Sequence, residues 1–245
     1  MVNTKRTLYN LMNSEISNWW VVLEKQDVKN YVDAGIPRDR IITLPQSNQG
    51  LCYVRNFIFN YHYQHHQQSP WYWMLDDDIG AIYTVSNQKN VQCNWADALF
   101  DAQQTAEKVN RLGIYSLEYK QFVRPGKKLK SIRINSSSCD VFVCINASLA
   151  KFLSFDCKFE LKVDRDFCLQ VRDLGYNIAS VCKFGFATDP MGVKEGGLND
   201  TYKQQGLERK EVELLIRKWK GLVGKKYRNK GDNARIDADI SWKKT

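Results

Sequence analysis

The sequence predicts an α/β protein, a single domain in which a mixed, mostly parallel sheet is flanked by helices. Three observations predict it. Short apolar runs alternate along the chain with stretches of helical spacing. No internal repeat or low-complexity linker divides the 245 residues, which are enough for one sizeable core. The composition, 43% apolar and 26% charged, is that of an ordinary globular protein.

The elements follow in order. TLYNLMN (7–13) has helical spacing, and WWVVLE (19–24) is an apolar run of strand length. DVKNYVDAG (27–35) reads as a helix stopped at Gly35, and IITLP (41–45) as a strand closed by Pro45. A longer helix follows in SNQGLCYVRNFIFNYHYQ, with Ser and Asn as cap candidates. WYWML (71–75) is a strand running directly into DDDIG. WADALFDAQQTAEKVNRLG (95–113) is a helix and IYSLE (114–118) a strand. IRINS (132–136) and DVFVCIN (140–146) read as a strand pair. DRDFCLQVRDLG (164–175) is a helix, NIASVCKFGF (177–186) a strand and ERKEVELLIRKWKG (208–221) a last helix. In such a fold, ligands are expected at the carboxyl ends of the strands.

Composition excludes several classes. No run of 18 apolar residues is present, so no membrane span is expected, and the N-terminus lacks the apolar core of a signal peptide. The seven cysteines form no C-x-x-C pair, and the three histidines sit together in one polar stretch. A zinc site or a disulfide framework is therefore not expected, and a reducing cytoplasm is. The net charge of +9 is unevenly spread. Tyr119 to Arg133 holds six basic residues and no acid: Lys120, Arg124, Lys127, Lys128, Lys130 and Arg133. Leu207 to Thr245 holds twelve basic against six acidic residues and includes Lys225, Lys226 and Arg228. Such patches suit a phosphate-rich partner, although a merely solvated surface gives the same count.

Asp76-Asp77-Asp78, at the end of the WYWML strand, is the most informative feature. Carboxylates this close repel one another, and a fold retains them where a cation or donor group neutralises them. Asp76 and Asp78 can share one Mn²⁺ or Mg²⁺ with a diphosphate, whose departure the ion then assists. An acidic loop or a helix N-terminus is the bland alternative. Arg55, beside Asn56 in the preceding helix, can pair with a phosphate or with the cluster itself. Asp164 and Asp166 open an amphipathic helix, where a carboxylate can act as a general base or simply as a cap. Lys194 and Gly196, in FATDPMGVKEGGLNDTY, can approach a phosphate closely.

Taken in order, Arg55-Asn56, W-x-L-D-D-D-I, D-R-D-F-x-L-Q-x-R-x-x-G-Y and T-x-P-M-G-x-x-x-G-G-L-x-x-x-Y resemble the TET/JBP-associated glycosyltransferases. These are GT-A enzymes of phages, kinetoplastids and some eukaryotes, of which the base J glucosyltransferase is the best-known type. The resemblance runs from about Arg6 to Trp242. It implies a GT-A domain over 1–245, with a nucleotide-sugar half (1–118) and an acceptor half (119–245) ending in the basic segment. It implies transfer from a UDP-sugar to the hydroxyl of a hydroxymethylpyrimidine in DNA, as in phage DNA hypermodification, inside the host cytoplasm. Carried over, Asp78 binds the metal and Asp76 the metal or the ribose. Arg55, Asn56, Asp77, Lys194 and Gly196 lie on the donor side. Asp164 is the base, with Asp166 second, and the basic residues named above hold DNA. The sequence has Val163-Asp164 where the family has Glu-Asp, and only Met1 to Lys5 precede Arg6, where the family has a strand.

Two other readings remain beside this one. A GT-A enzyme with a protein or glycan acceptor makes the basic patches incidental. A non-catalytic nucleic-acid-binding protein makes the carboxylates structural. A two-metal nuclease needs a second tight carboxylate group, which only Asp164 and Asp166 offer.

Overall fold

A computed structural model describes residues 6–126, 130–188, 206–228 and 235–242. Its central feature is a seven-stranded sheet ordered β3-β8-β6-β9-β4-β5, with β7 also on β9. The strands are β3 (Trp71–Leu75), β4 (Ile79–Ser86), β5 (Lys89–Gln92), β6 (Leu112–Tyr119), β7 (Ile132–Ile134), β8 (Phe142–Asn146) and β9 (Asn177–Thr188). Within this sheet, among the described residues, only β6 and β9 run parallel. The expected mostly parallel sheet is thus corrected: β3–β8, β6–β8, β4–β9, β4–β5 and β7–β9 are all antiparallel. The expected pairing of residues 132–136 with 140–146 is also corrected. β7 lies on β9, while β8 lies between β3 and β6.

β8 shows why the sheet sits where it does. All of Phe142, Val143, Cys144 and Ile145 are buried, and they alternate between two cores. Val143 and Ile145 face α3 (Gly50–His65) and α5 (Val163–Asp173), where Phe59, Phe155 and Phe167 stack. Phe142 and Cys144 face α4 (Trp95–Ala106), whose Trp95, Ala98, Ala102 and Ala106 recur at helical spacing. A strand covered by helices on both faces reads as a continuous apolar run, as DVFVCIN does. Asn94 caps α4, its side-chain oxygen accepting from the N–H groups of Ala96 and Asp97. By contrast, α3 begins after Gln49 with no side-chain cap, against the Ser/Asn expectation.

A smaller unit stands beside the main sheet. β1 (Val21–Leu23) and β2 (Ile41–Thr43) form a parallel pair, with α1 (Thr7–Met12) and α2 (Val28–Asp33) nearby in the chain. Leu23, Ile36 and Ile41 form its own small core. Among the described residues β1 has only β2 as a strand neighbour, and β3 has only β8. The space between these two units is the large cavity described below. α6 (Leu207–Lys218) packs on the antiparallel pair of β10 (Val223–Arg228) and β11 (Arg235–Ile240). No helix among the described residues is long and apolar enough to cross a membrane.

Cys52 and Cys157 form a disulfide, their Cα atoms 5.4 Å apart. This corrects the expectation of none. Spacing alone hid it, because the two residues are 105 positions apart. The bond ties the front of α3 to the loop before α5. Its reduction is expected to lower stability by about 2–4 kcal/mol, as a long closed loop is released in the unfolded chain. Thiol titration of the denatured, unreduced protein is expected to find five thiols: Cys93, Cys139, Cys144, Cys168 and Cys182. Seven would show the bond to be absent.

Candidate functional site

The carboxylate cluster sits where β3 ends, held by four hydrogen bonds to its backbone groups. The Asp76 N–H donates to the Val141 carbonyl at 3.0 Å. The Thr7 hydroxyl donates to the Asp76 carbonyl at 2.6 Å and accepts from the Ile79 N–H at 2.9 Å. Asn10 Nδ2 donates to the Gly80 carbonyl at 2.7 Å. Helix α1 therefore clamps the D-D-D turn from both sides. This role of Thr7 and Asn10 carries no sequence signature, since the partners are backbone groups about 70 residues away.

Facing the turn is a strained corner. Val141 is β-branched yet has φ +60°, and the Phe142 N–H donates to the Asp140 carbonyl at 2.5 Å. That i to i+2 bond closes a γ-turn around a residue that disfavours left-handed backbone. Strain of this kind persists where the surroundings over-determine it, and here Val141 also receives the Asp76 N–H. The corner brings Asp140 to the cluster, a residue that no motif in the sequence singles out. Its carboxyl is pushed above the usual range by burial, against a hydrogen bond from Tyr119 and the charges of Arg55 and Arg165.

Arg55 joins the parts. Its guanidinium is 5% exposed on α3, ion-paired to Asp164 in the first turn of α5, and 3.6 Å from Asp76 Oδ1. A planar fork suits this bridging better than an ammonium does. Burial raises the Asp76 carboxyl, Arg55 opposes that, and the charges of Asp140 and Asp77 add to it. One buried cation thus faces Asp76, Asp140 and Asp164, a balance that favours another cation or a set of donors.

A cavity of about 2870 Å³ opens between the β1–β2 unit and β3, and Arg55, Asp76, Asp77, Asp78, Asp140 and Asp164 line it. Small-molecule pockets are typically about 300–1,000 Å³. The space therefore exceeds what one sugar nucleotide fills. Asp77 is exposed, and its charge, after burial, raises the Tyr31 hydroxyl on α2. Asp78 is half-buried. Asp164 binds Arg55 through Oδ1, and its Oδ2 has no hydrogen-bond partner among the described residues.

Two expected site residues are corrected. Asp166 is fully buried, accepting from Trp219 Nε1 at 2.8 Å, Lys218 Nζ at 2.8 Å and Gln170 Nε2 at 2.7 Å. It ties α5 to the end of α6, and it does not line the cavity. Asn56 bonds both backbone groups of Phe155, each at 2.8 Å, and so fixes the loop before α5 instead of facing the cavity. Helical spacing places Arg55 and Asn56 about 100° apart, so one faces the cavity and the other the loop.

The basic residues divide. Lys120 and Arg124 line the cavity, and Lys130 is exposed. Arg133 is ion-paired to the mostly buried Glu118, so it serves the fold first. Lys225 pairs with Glu213 at 3.0 Å, and Lys226 is exposed on the same strand, away from the cavity lining. Lys127, Lys128, Lys194, Gly196 and the Arg228 side chain lie outside the described residues.

Cation chemistry fits the cluster. Asp76 and Asp78 are hard oxygen donors one residue apart. Among the described residues no group of three or more His, Cys, Asp or Glu side chains is placed to hold a metal ion by itself, so a cation here would need ligands from the substrate. Mg²⁺-type sites of one or two carboxylates completed by substrate phosphates have this form.

Comparison with known proteins gives one positive finding. A family model described as TET-Associated Glycosyltransferase matches residues 2–197, most of the chain. No curated protein matches.

Proposed function

The chain belongs to the TET-associated glycosyltransferase family, and from that premise we propose that it is a metal-dependent GT-A enzyme moving a sugar from a UDP-sugar to a hydroxymethylpyrimidine in DNA. Residues 1–118 form its donor half and 119–245 its acceptor half. The observation that carries the reading is the convergence of Asp76, Asp78, Arg55 and Asp164 on one cavity wide enough for donor and acceptor together.

Asp76 and Asp78 would hold Mn²⁺ or Mg²⁺, and the ion would supply positive charge beside the donor diphosphate. Arg55 keeps Asp76 and Asp164 at a fixed separation and balances their charge. The acceptor hydroxyl attacks the anomeric carbon on the face opposite the diphosphate. Asp164 Oδ2 takes the hydroxyl proton as the new C–O bond forms and the bond to the diphosphate breaks. The outcome is inversion at that carbon. A base in a duplex must first leave the stack, at a cost of about a few kcal/mol. Lys120, Arg124 and Lys130 bind the flanking phosphates, so binding weakens with salt.

The test is incubation of the protein with Mn²⁺, candidate UDP-sugars and DNA carrying hydroxymethyluracil or hydroxymethylcytosine. Mass analysis of the released nucleosides is expected to show one added sugar. Transfer to protein or glycan hydroxyls, with none to DNA and no inhibition by plain duplex, would sink the acceptor assignment.

A further inference from the structure

The 3₁₀ turn Lys120–Phe122 follows β6 directly, at the same end of the sheet as the carboxylate cluster. Phe122 at its end is 52% exposed. Exposure alone does not single it out, since Phe100 and Phe152 are more exposed; what does is its place in the chain between two cations that line the cavity, Lys120 and Arg124. The turn is rigidly seated. Val123 beside Phe122 is 1% exposed, and its N–H donates to the Lys120 carbonyl at 3.1 Å. Under the turn, β9 carries Gly185. A Cβ there would lie 2.8 Å from Lys120 Cα and 2.9 Å from Val123 Cγ2, so only glycine lets the turn sit this close.

Its position relative to the chemistry is also fixed. Tyr119 hydrogen-bonds Asp140 and packs on Phe186 with ring centroids 4.6 Å apart. The Phe122 ring meets Tyr119 edge-on at 6.5 Å. Lys120, Gln121 and Arg124 line the cavity, whereas Phe122 lies outside it. The ring therefore stands at the rim, one aromatic side chain away from the cluster. Lys120 Nζ is held 3.6 Å from the Tyr83 ring centroid. From Tyr119 to Arg133 the chain has no acidic residue, so the surface complements a polyanion.

We propose that Phe122 enters the acceptor duplex and fills the gap left by the base drawn into the cavity, with Lys120 and Arg124 on the adjacent phosphates. Apolar side chains that wedge into a stack offset the loss of base–base contact, and base–aromatic stacking is tolerant of sequence. The inference rests on the DNA-acceptor reading above. Phe122 is a positioning residue: it touches neither the sugar nor the attacking hydroxyl.

The test compares the parent with Phe122→Ala and Phe122→Trp. Acceptors are a fully paired duplex, a duplex mismatched at the modified base, and the same strand alone. A 2-aminopurine placed beside the modified base reports unstacking. Phe122→Ala is expected to lose about 10- to 100-fold of transfer to the paired duplex, together with the 2-aminopurine signal. Transfer to the mismatched and single-stranded acceptors is expected to change by less than about 3-fold, and the thermal shift with UDP-sugar to be unchanged. Phe122→Trp is expected to restore the duplex reaction. Equal loss on all three acceptors, or no loss on the paired duplex, overturns the wedge while leaving the enzyme's DNA specificity intact. A parent protein that transfers to no DNA overturns both.

Discussion

Asp76→Asn and Asp78→Ala each lower sugar transfer by roughly 10²- to 10³-fold, with the folded structure retained. That magnitude is typical when one element of leaving-group or oxyanion stabilisation is removed. The fold survives because the anchors of this turn are backbone groups: the Asp76 N–H on Val141, the Asp76 carbonyl on Thr7 and the Ile79 N–H on Thr7. Asp76 is moreover a carboxylate whose charge the fold disfavours, since burial and the neighbouring acids raise its pKa. Asp76→Asn is therefore expected to melt at or above the parent temperature while losing activity, the usual trade of stability for function at a charged site. Steady-state transfer assays and thermal melts of the two variants, with and without Mn²⁺, decide the matter. Parent-like transfer by Asp78→Ala would remove the metal from the mechanism.

Arg55→Leu is expected to destabilise the protein by about 3–5 kcal/mol and to abolish transfer. Arg55 is buried beside Asp76 and Asp164, and removing one partner leaves the others as uncompensated charges. Arg55→Lys keeps the charge but loses the fork, so an intermediate loss is expected. The pH dependence has a definite sign. The folded-state pKa values of Asp76 and Asp140 already lie above the ordinary carboxylate range, with Arg55 opposing the rise in both. Without Arg55 they rise further. The folded variant then binds more protons than its unfolded chain over the window between the ordinary and the raised values. Stability falls as pH climbs through that window, so the deficit is largest at neutral pH and shrinks on acidification. Chemical denaturation at pH 5 and pH 8 measures it. A deficit independent of pH would mean that Arg55 acts through packing alone.

Much of the local structure was legible from the residues. WYWML is β3 at both of its boundaries, and the 164–175 helix differs from α5 by one or two residues at each end. The acidic cluster stands out in the sequence because D-D-D after an aromatic strand is unusual in itself, and the structure brings Arg55 to within 3.6 Å of Asp76. Asp166 is a position whose role only the tertiary structure decides. Asp164 and Asp166 look alike in the sequence, both acidic and both in the first turn of α5. They differ only in what faces them, Arg55 and the cavity for one, Lys218 and Trp219 for the other. The hairpin of β4 and β5, directly after the cluster, was not expected either. Its strands alternate weakly, and β5 is exposed along its whole length.

The sequence by itself determined the periods: which runs are strands, which are helices, and that three acids terminate one aromatic strand. Those are properties of neighbours a few residues apart, set by side-chain size and by the geometry of the backbone. Tertiary structure alone decided the antiparallel sheet, the Cys52–Cys157 bond, the arrival of Asp140 at Asp76 and the exposure of Phe122. Each depends on groups tens of residues or more away meeting in space, and chain closure over such distances leaves no local pattern to read.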